Sequence, residues 1–106
     1  SVSLAMVRRA DADVDTFMEI LRNSKLYAPT FDKKLPRLLE RNFDNPNFPT
    51  RHLLKDVSLI EAQARKLGVN TRTIEAVRHI IEETLEKGWV DTDYSSIYNA
   101  IDPPEK

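Results

Sequence analysis

One lysine, placed on an apolar stripe of a helix that already carries a core-facing stripe, is the residue here best disposed for chemistry. Residues 48–68 read FPTRHLLKDVSLIEAQARKLG. Leu53, Val57, Ile60, Ala64 and Leu67 recur at the four-then-three spacing of one helical face, which is expected to be the core face. At about 100° per residue, Lys55 points to the opposite side, above Leu59 and Ala62 at i+4 and i+7. A solvated helix fills its second stripe with charge, whereas this one offers a single cation on an apolar floor. Such an ammonium suits a covered, partly dry cleft, where it would donate to a carbonyl or carboxylate. Asp56 is turned by about 100° from it and could orient the lysine or a nearby loop. The plainer alternative for Lys55 and Asp56 is a solvated pair on an ordinary helix.

Phe48 precedes this helix within a Pro/Asn segment. It could wall a cofactor pocket, or act as a hydrophobic staple that fixes how the loop joins the helix. His52 and His79 are the only histidines, on different expected helices, with no HExxH spacing and no cysteine partner, so no metal site is expected. Glu82, Glu83 and Glu86 follow helical surface spacing and read as a solvated face. Trp89, Asp91 and Asp93 ahead of Tyr94-Ser95-Ser96 read as a turn, with Asp93 capping a last helix over Trp89 and Tyr94. The other reading of that turn is a rim facing a partner or an active site.

Composition narrows the classes. The chain has 106 residues, 41% hydrophobic and 31% charged, as in one ordinary globular domain. Sixteen basic and seventeen acidic residues give a net charge of −1, so no basic excess exists to collect phosphates and nucleic-acid binding is not expected. Cysteine is absent, which removes disulfides and thiolate metal sites and fits a reducing compartment. No run approaches a membrane span and no signal peptide opens the chain, so a cytoplasmic protein is expected. Only two glycines occur, Gly68 and Gly88. A phosphate-cradling loop needs clustered glycines. By itself, the chain therefore cannot bind a dinucleotide in the Rossmann manner.

The elements that must position these residues are helical throughout. Residues 1–9 are apolar and uncapped, like the severed end of a longer helix, with a cloning remnant at Ser1 as the other reading. Val14, Phe17, Met18 and Leu21 form a second amphipathic stretch, with Thr16 and Glu19 in capping-box spacing. Phe31, Leu35, Leu38 and Leu39 set a third face, with Pro36 near that helix's start or kinking it. Residues 42–50 form a loop rich in proline and asparagine. The Lys55 helix stops at Gly68. Asn70 or Thr71 caps the next helix, whose core face is Ile74, Val77, Ile81 and Leu85, ending at Gly88. Tyr94, Ile97, Tyr98 and Ile101 give a last short helix. The class expected is all-α, with five or six helices joined by short turns.

Phe48 through Leu54, the Lys55-Asp56 pair, the helix to Gly68 and the closing GWVDTDYSS resemble the C-terminal domain of the β-hydroxyacid dehydrogenases. That group includes 3-hydroxyisobutyrate, tartronate-semialdehyde and 6-phosphogluconate dehydrogenases. The resemblance rests on K-D-[LV]-x-x-A, matched by Lys55-Asp56-Val57, with F-x6-K upstream (Phe48 to Lys55) and D-x-S downstream (Asp93, Ser95). The chain departs from the family at Ser58, Ile60 and Ala62, where the family commonly has glycine, alanine and an acid.

The resemblance implies a bundle like the 6-phosphogluconate dehydrogenase C-terminal domain. Residues 1–106 would form one helical domain, 1–9 being the end of the interdomain helix. An N-terminal Rossmann domain would precede it and carry the glycine fingerprint and the catalytic lysine, leaving no catalytic residue here. NAD or NADP would be the cofactor, contacted by Lys55, Phe48 and Asp56, and the substrate a small 3-hydroxy acid or its semialdehyde. A homodimer or higher homo-oligomer would form through this domain. The rival class is a non-enzymatic helical interaction or dimerisation module. A third class, helix-turn-helix DNA binding, lacks a basic recognition face.

Overall fold

The computed structural model describes residues 1–104, in which six α-helices follow one another: α1 (Val2–Arg9), α2 (Val14–Arg22), α3 (Pro29–Glu40), α4 (Thr50–Lys66), α5 (Arg72–Glu86) and α6 (Tyr98–Ile101). A 3₁₀ turn, Tyr94–Ile97, leads into α6. Among the described residues there is no strand, only an isolated bridge between Pro49 and Asp93. The all-α expectation holds. No helix is long and apolar enough to cross a membrane.

Local chemistry sets the helix ends. Asp13 caps α2, its carboxylate accepting from the Asp15 N–H at 3.2 Å and the Thr16 hydroxyl at 2.6 Å. The capping box expected at Thr16 and Glu19 is therefore displaced by one turn, because the nearer carboxylate takes the free N–H first. In α3, Pro29 occupies the first turn, where its missing N–H is harmless. Pro36 lies well inside that helix rather than near its start. Both glycines terminate helices. The Gly68 N–H reaches the Arg65 carbonyl and Val69 that of Ala64, while Gly88 and Trp89 repeat the pattern on Leu85 and Thr84. These are Schellman closures, and they need the left-handed φ of 78° at Gly68 and 98° at Gly88. The Asn70 carboxamide accepts from the Arg72 N–H and opens α5.

The largest apolar cluster joins Leu4 and Ala5 of α1 to Phe43 and Tyr98, with Val14, Leu35 and Leu38 packed around them. Met18, Val57 and Ile81 are also buried. The aliphatic faces assigned from periodicity need correction. In α4, Ile60 and Leu67 are 57% and 69% exposed, and the buried line is Thr50, Val57 and Glu61. The helix is thus rotated about 50° from its aliphatic stripe. The cause is polar: Glu61 accepts from Arg78 of α5 at 2.8 Å and pairs with Arg65 at 3.2 Å, drawing the Glu61 line into the α4–α5 seam. Val77 of α5 and Phe31 and Leu39 of α3 are also exposed, while Thr84 is buried, its hydroxyl bonded to the Ile80 carbonyl. Every buried side-chain nitrogen or oxygen among the described residues has a partner. The radius of gyration is 15.0 Å, against about 13 Å for a compact globule of this length. Large apolar residues accordingly remain on the outside.

Candidate functional site

The segment before α4 is held by the segment after α5. The Asp93 N–H donates to the Phe43 carbonyl at 2.8 Å and the Tyr94 N–H to the Phe48 carbonyl at 2.7 Å. The Thr50 N–H donates to the Thr92 carbonyl at 2.9 Å, and the Thr50 hydroxyl reaches the Asp93 carbonyl and Ser96. Phe48 therefore arrives at the start of α4 with its backbone pinned. Its half-buried ring lies edge-on to His52, centroids 5.8 Å apart, and to Tyr94 at 6.2 Å.

His52 lies three residues before Lys55 on the same outer stripe, and Leu59 four residues after it. His52, Lys55 and Leu59 thus share the outside of α4, and Phe48, two residues ahead of the helix, meets His52. Lys55 is exposed, as the reading of a solvated pair on an ordinary helix requires, and Leu59 one turn further is 61% exposed. Among the described residues neither Lys55 nor Asp56 makes an ion pair or a side-chain hydrogen bond. Asp56 is exposed and turned away from the stripe. No other part of the described chain covers Lys55. Two surface grooves lie elsewhere, one at Val2, Met6 and Ile101, the other at Arg8, Arg41 and Asp102.

The remaining candidates separate. His79 stands exposed on α5, and no group of three metal-type ligands occurs among the described residues. Glu82 and Glu83 bind Arg78 and Lys87 within α5. Asp91 pairs with Arg51 at 2.5 Å, tying the closing turn to the first turn of α4. Asp93 caps the 3₁₀ turn as expected, its carboxylate accepting from the Ser95 N–H at 3.2 Å.

Sequence reasoning passed over Lys34. It is 7% exposed, and its ammonium donates to both Asp93 carboxylate oxygens at 3.1 and 3.0 Å and to the Asn47 carboxamide at 3.3 Å. It also lies 4.8 Å from the centre of the Tyr94 ring. Its position three after Phe31 and four before Leu38, on a face otherwise apolar, was the available signal. Burial alone would raise the Asp93 pKa, but hydrogen bonds from Ser95, Lys34 and the Asn47 N–H outweigh it and hold the carboxyl at about 2.

Residues 2–101 match the family model described as NAD-binding of NADP-dependent 3-hydroxyisobutyrate dehydrogenase. The chain belongs to this β-hydroxyacid dehydrogenase family. No curated protein matches it. On α4, Lys55 offers a cation without a partner among the described residues and Leu59 an exposed apolar side chain, with the half-buried Phe48 ring ahead of the helix. No glycine-built pyrophosphate cradle accompanies them, since both glycines are committed to helix ends.

Proposed function

We propose that this chain is the C-terminal helical domain of an NAD(P)-dependent β-hydroxyacid dehydrogenase, one wall of a cleft whose other wall is a Rossmann domain. The observation that carries the reading is Lys55, a cation without a partner among the described residues, one turn before exposed Leu59 and one turn after His52, which meets the Phe48 ring. In a closed cleft its ammonium would donate to a carbonyl or carboxylate oxygen of the nicotinamide end or of a 3-hydroxy acid. Phe48 would supply the flat apolar wall beside it, and Asp56 would orient the cofactor-facing loop. Bound NAD(P) supplies the hydride acceptor; the general acid and base come from the Rossmann side. Leu59 and the aromatic edge would exclude water from the lysine once the cleft closes.

The residues 1–106 therefore lack activity alone. Incubated with NAD(P)H and semialdehydes they give no turnover. Saturable micromolar cofactor binding to the isolated chain contradicts the two-wall reading. Joined to a Rossmann domain of the same family they support turnover, and Lys55→Ala then weakens it. Lys55→Ala turnover equal to that of the parent removes Lys55 from the site.

A second reading, association through this domain, is favoured by the exposed Val2, Met6, Ile60, Leu67 and Val77. Sedimentation equilibrium tests it: a strict monomer at high concentration counts against homo-oligomerisation.

A further inference from the structure

We infer that Lys34 and Asp93 form a buried positioning pair that sets Phe48 against the Lys55 stripe. The inference rests on the proposed role of that stripe for its consequence, but on geometry for its mechanism. Lys34 comes from the middle of α3 and Asp93 from the turn before α6, 59 positions apart, and both are nearly sealed from water. Asp93 is where the surrounding segments meet. Its carboxylate takes the Lys34 ammonium, the Asn47 N–H at 3.0 Å, and the Ser95 N–H and hydroxyl. Its own N–H holds Phe43, and its carbonyl accepts from Thr50. Residues 43, 47 and 50 all end on this one residue, and Phe48 lies between them.

A second line runs through the rings. The Lys34 ammonium faces Tyr94, Tyr94 meets Phe48 edge-on, and Phe48 meets His52, which stands one turn before Lys55. Lys34 is therefore connected to the outer stripe by two routes, one through hydrogen bonds at Asp93 and one through edge-on ring contacts. Asn47 takes the third N–H of the Lys34 ammonium, so the loop that carries Phe48 is tied to the pair from the lysine as well as from Asp93. Lys34 and Asp93 touch no cofactor or substrate in this arrangement; they act through Phe48.

The test uses the full-length protein that carries this chain, with two variants. Lys34→Met leaves Asp93 buried without its cation. Lys34→Met combined with Asp93→Asn removes both charges at similar volume, so a role limited to charge balance is satisfied again. The expected result is that the double variant regains cooperative folding while amide exchange at Thr50, Asp93 and Tyr94 stays faster by about tenfold or more, with α5 protection unchanged. The coenzyme KM rises by about tenfold in the double variant and kcat stays within about twofold, as expected for misplaced binding groups. Parental exchange and KM in the double variant overturn the inference, as does a double variant that fails to fold. If the parent protein shows no coenzyme-dependent turnover, the dehydrogenase reading falls, while the exchange data still decide whether the pair holds the segment.

Discussion

Acid titration reads the Lys34–Asp93 pair directly. The Asp93 carboxyl lies at about 2 in the folded chain, against an ordinary value of 3.8. A carboxyl depressed by folding contributes stability in full above its unfolded value and loses it as pH falls through the folded one. The gap is worth about 2.5 kcal/mol when the group is fully ionised, and about 2 kcal/mol of that disappears between about pH 5 and about pH 2. Asp32 and Glu61 are also held low, by hydrogen bonds from Arg22 and Arg78. They lie in every variant of the pair and cancel in a difference. Urea unfolding followed by far-ultraviolet circular dichroism, at several pH values across that range, gives stability for the parent and for the Lys34→Met/Asp93→Asn double variant. The parent should lose about 2 kcal/mol more than the double variant. Parallel losses in the two proteins refute the reasoning, because Asp93 would then carry no folding-linked proton.

Three further outcomes are expected. Lys55→Ala changes stability by less than about 0.5 kcal/mol in urea melts, because the side chain is exposed and without a partner among the described residues. Ile81→Ala costs about 3 kcal/mol and Ile60→Ala under about 1 kcal/mol in the same melts, since Ile81 is 0% and Ile60 57% exposed; similar costs would restore the aliphatic stripe as the core face. Gly68→Ala costs about 1 kcal/mol in thermal melts, entirely from its φ of 78°, as a Cβ there meets nothing within 4 Å.

What could be read from sequence was local. Gly68 and Gly88 announced two helix ends because a left-handed C′ residue is a short-range demand. Asp93 announced its cap for the same reason, and the outward direction of Lys55 follows from angular arithmetic within one helix. What could not be read depended on partners far along the chain. The burial of Lys34 depends on Asp93, 59 residues later, and so did not show in its own helix. The burial of Glu61 depends on Arg78 from α5, and that pairing turns α4 away from its aliphatic line. Arg8, Arg9 and Arg41 gather around Tyr98 and Asp102 in the same way, from opposite ends of the chain.

The rotation of α4 bears on function as well as on packing. With Glu61 and Val57 turned inward, only a narrow line of this 17-residue helix is buried against its own chain. Ile60 and Leu67 are left on one flank, and Leu59 with Lys55 on the far side. A long helix derives most of its stability from tertiary packing of an apolar face rather than from propensity. An α4 that faces solvent over most of its circumference is therefore under-packed for its length, and its apolar residues lie where further polypeptide or a ligand gains most by covering them. The two aspects of the helix suit different covers. The Ile60–Leu67 flank sets two large exposed aliphatic side chains beside Asp56 and Gln63 and fits another helix. The Lys55 side combines the cations Arg51, Lys55 and Lys66 with exposed Leu59 and the nearby Phe48 edge, a mixture that favours a polar, flat ligand over a second apolar helix. Under the proposed function, cofactor and subunit contacts would fall on separate sides of α4, so Ile60→Glu should abolish association while leaving the effect of Lys55→Ala on coenzyme KM intact; an Ile60→Glu protein that loses both together would show that the two sides are one surface.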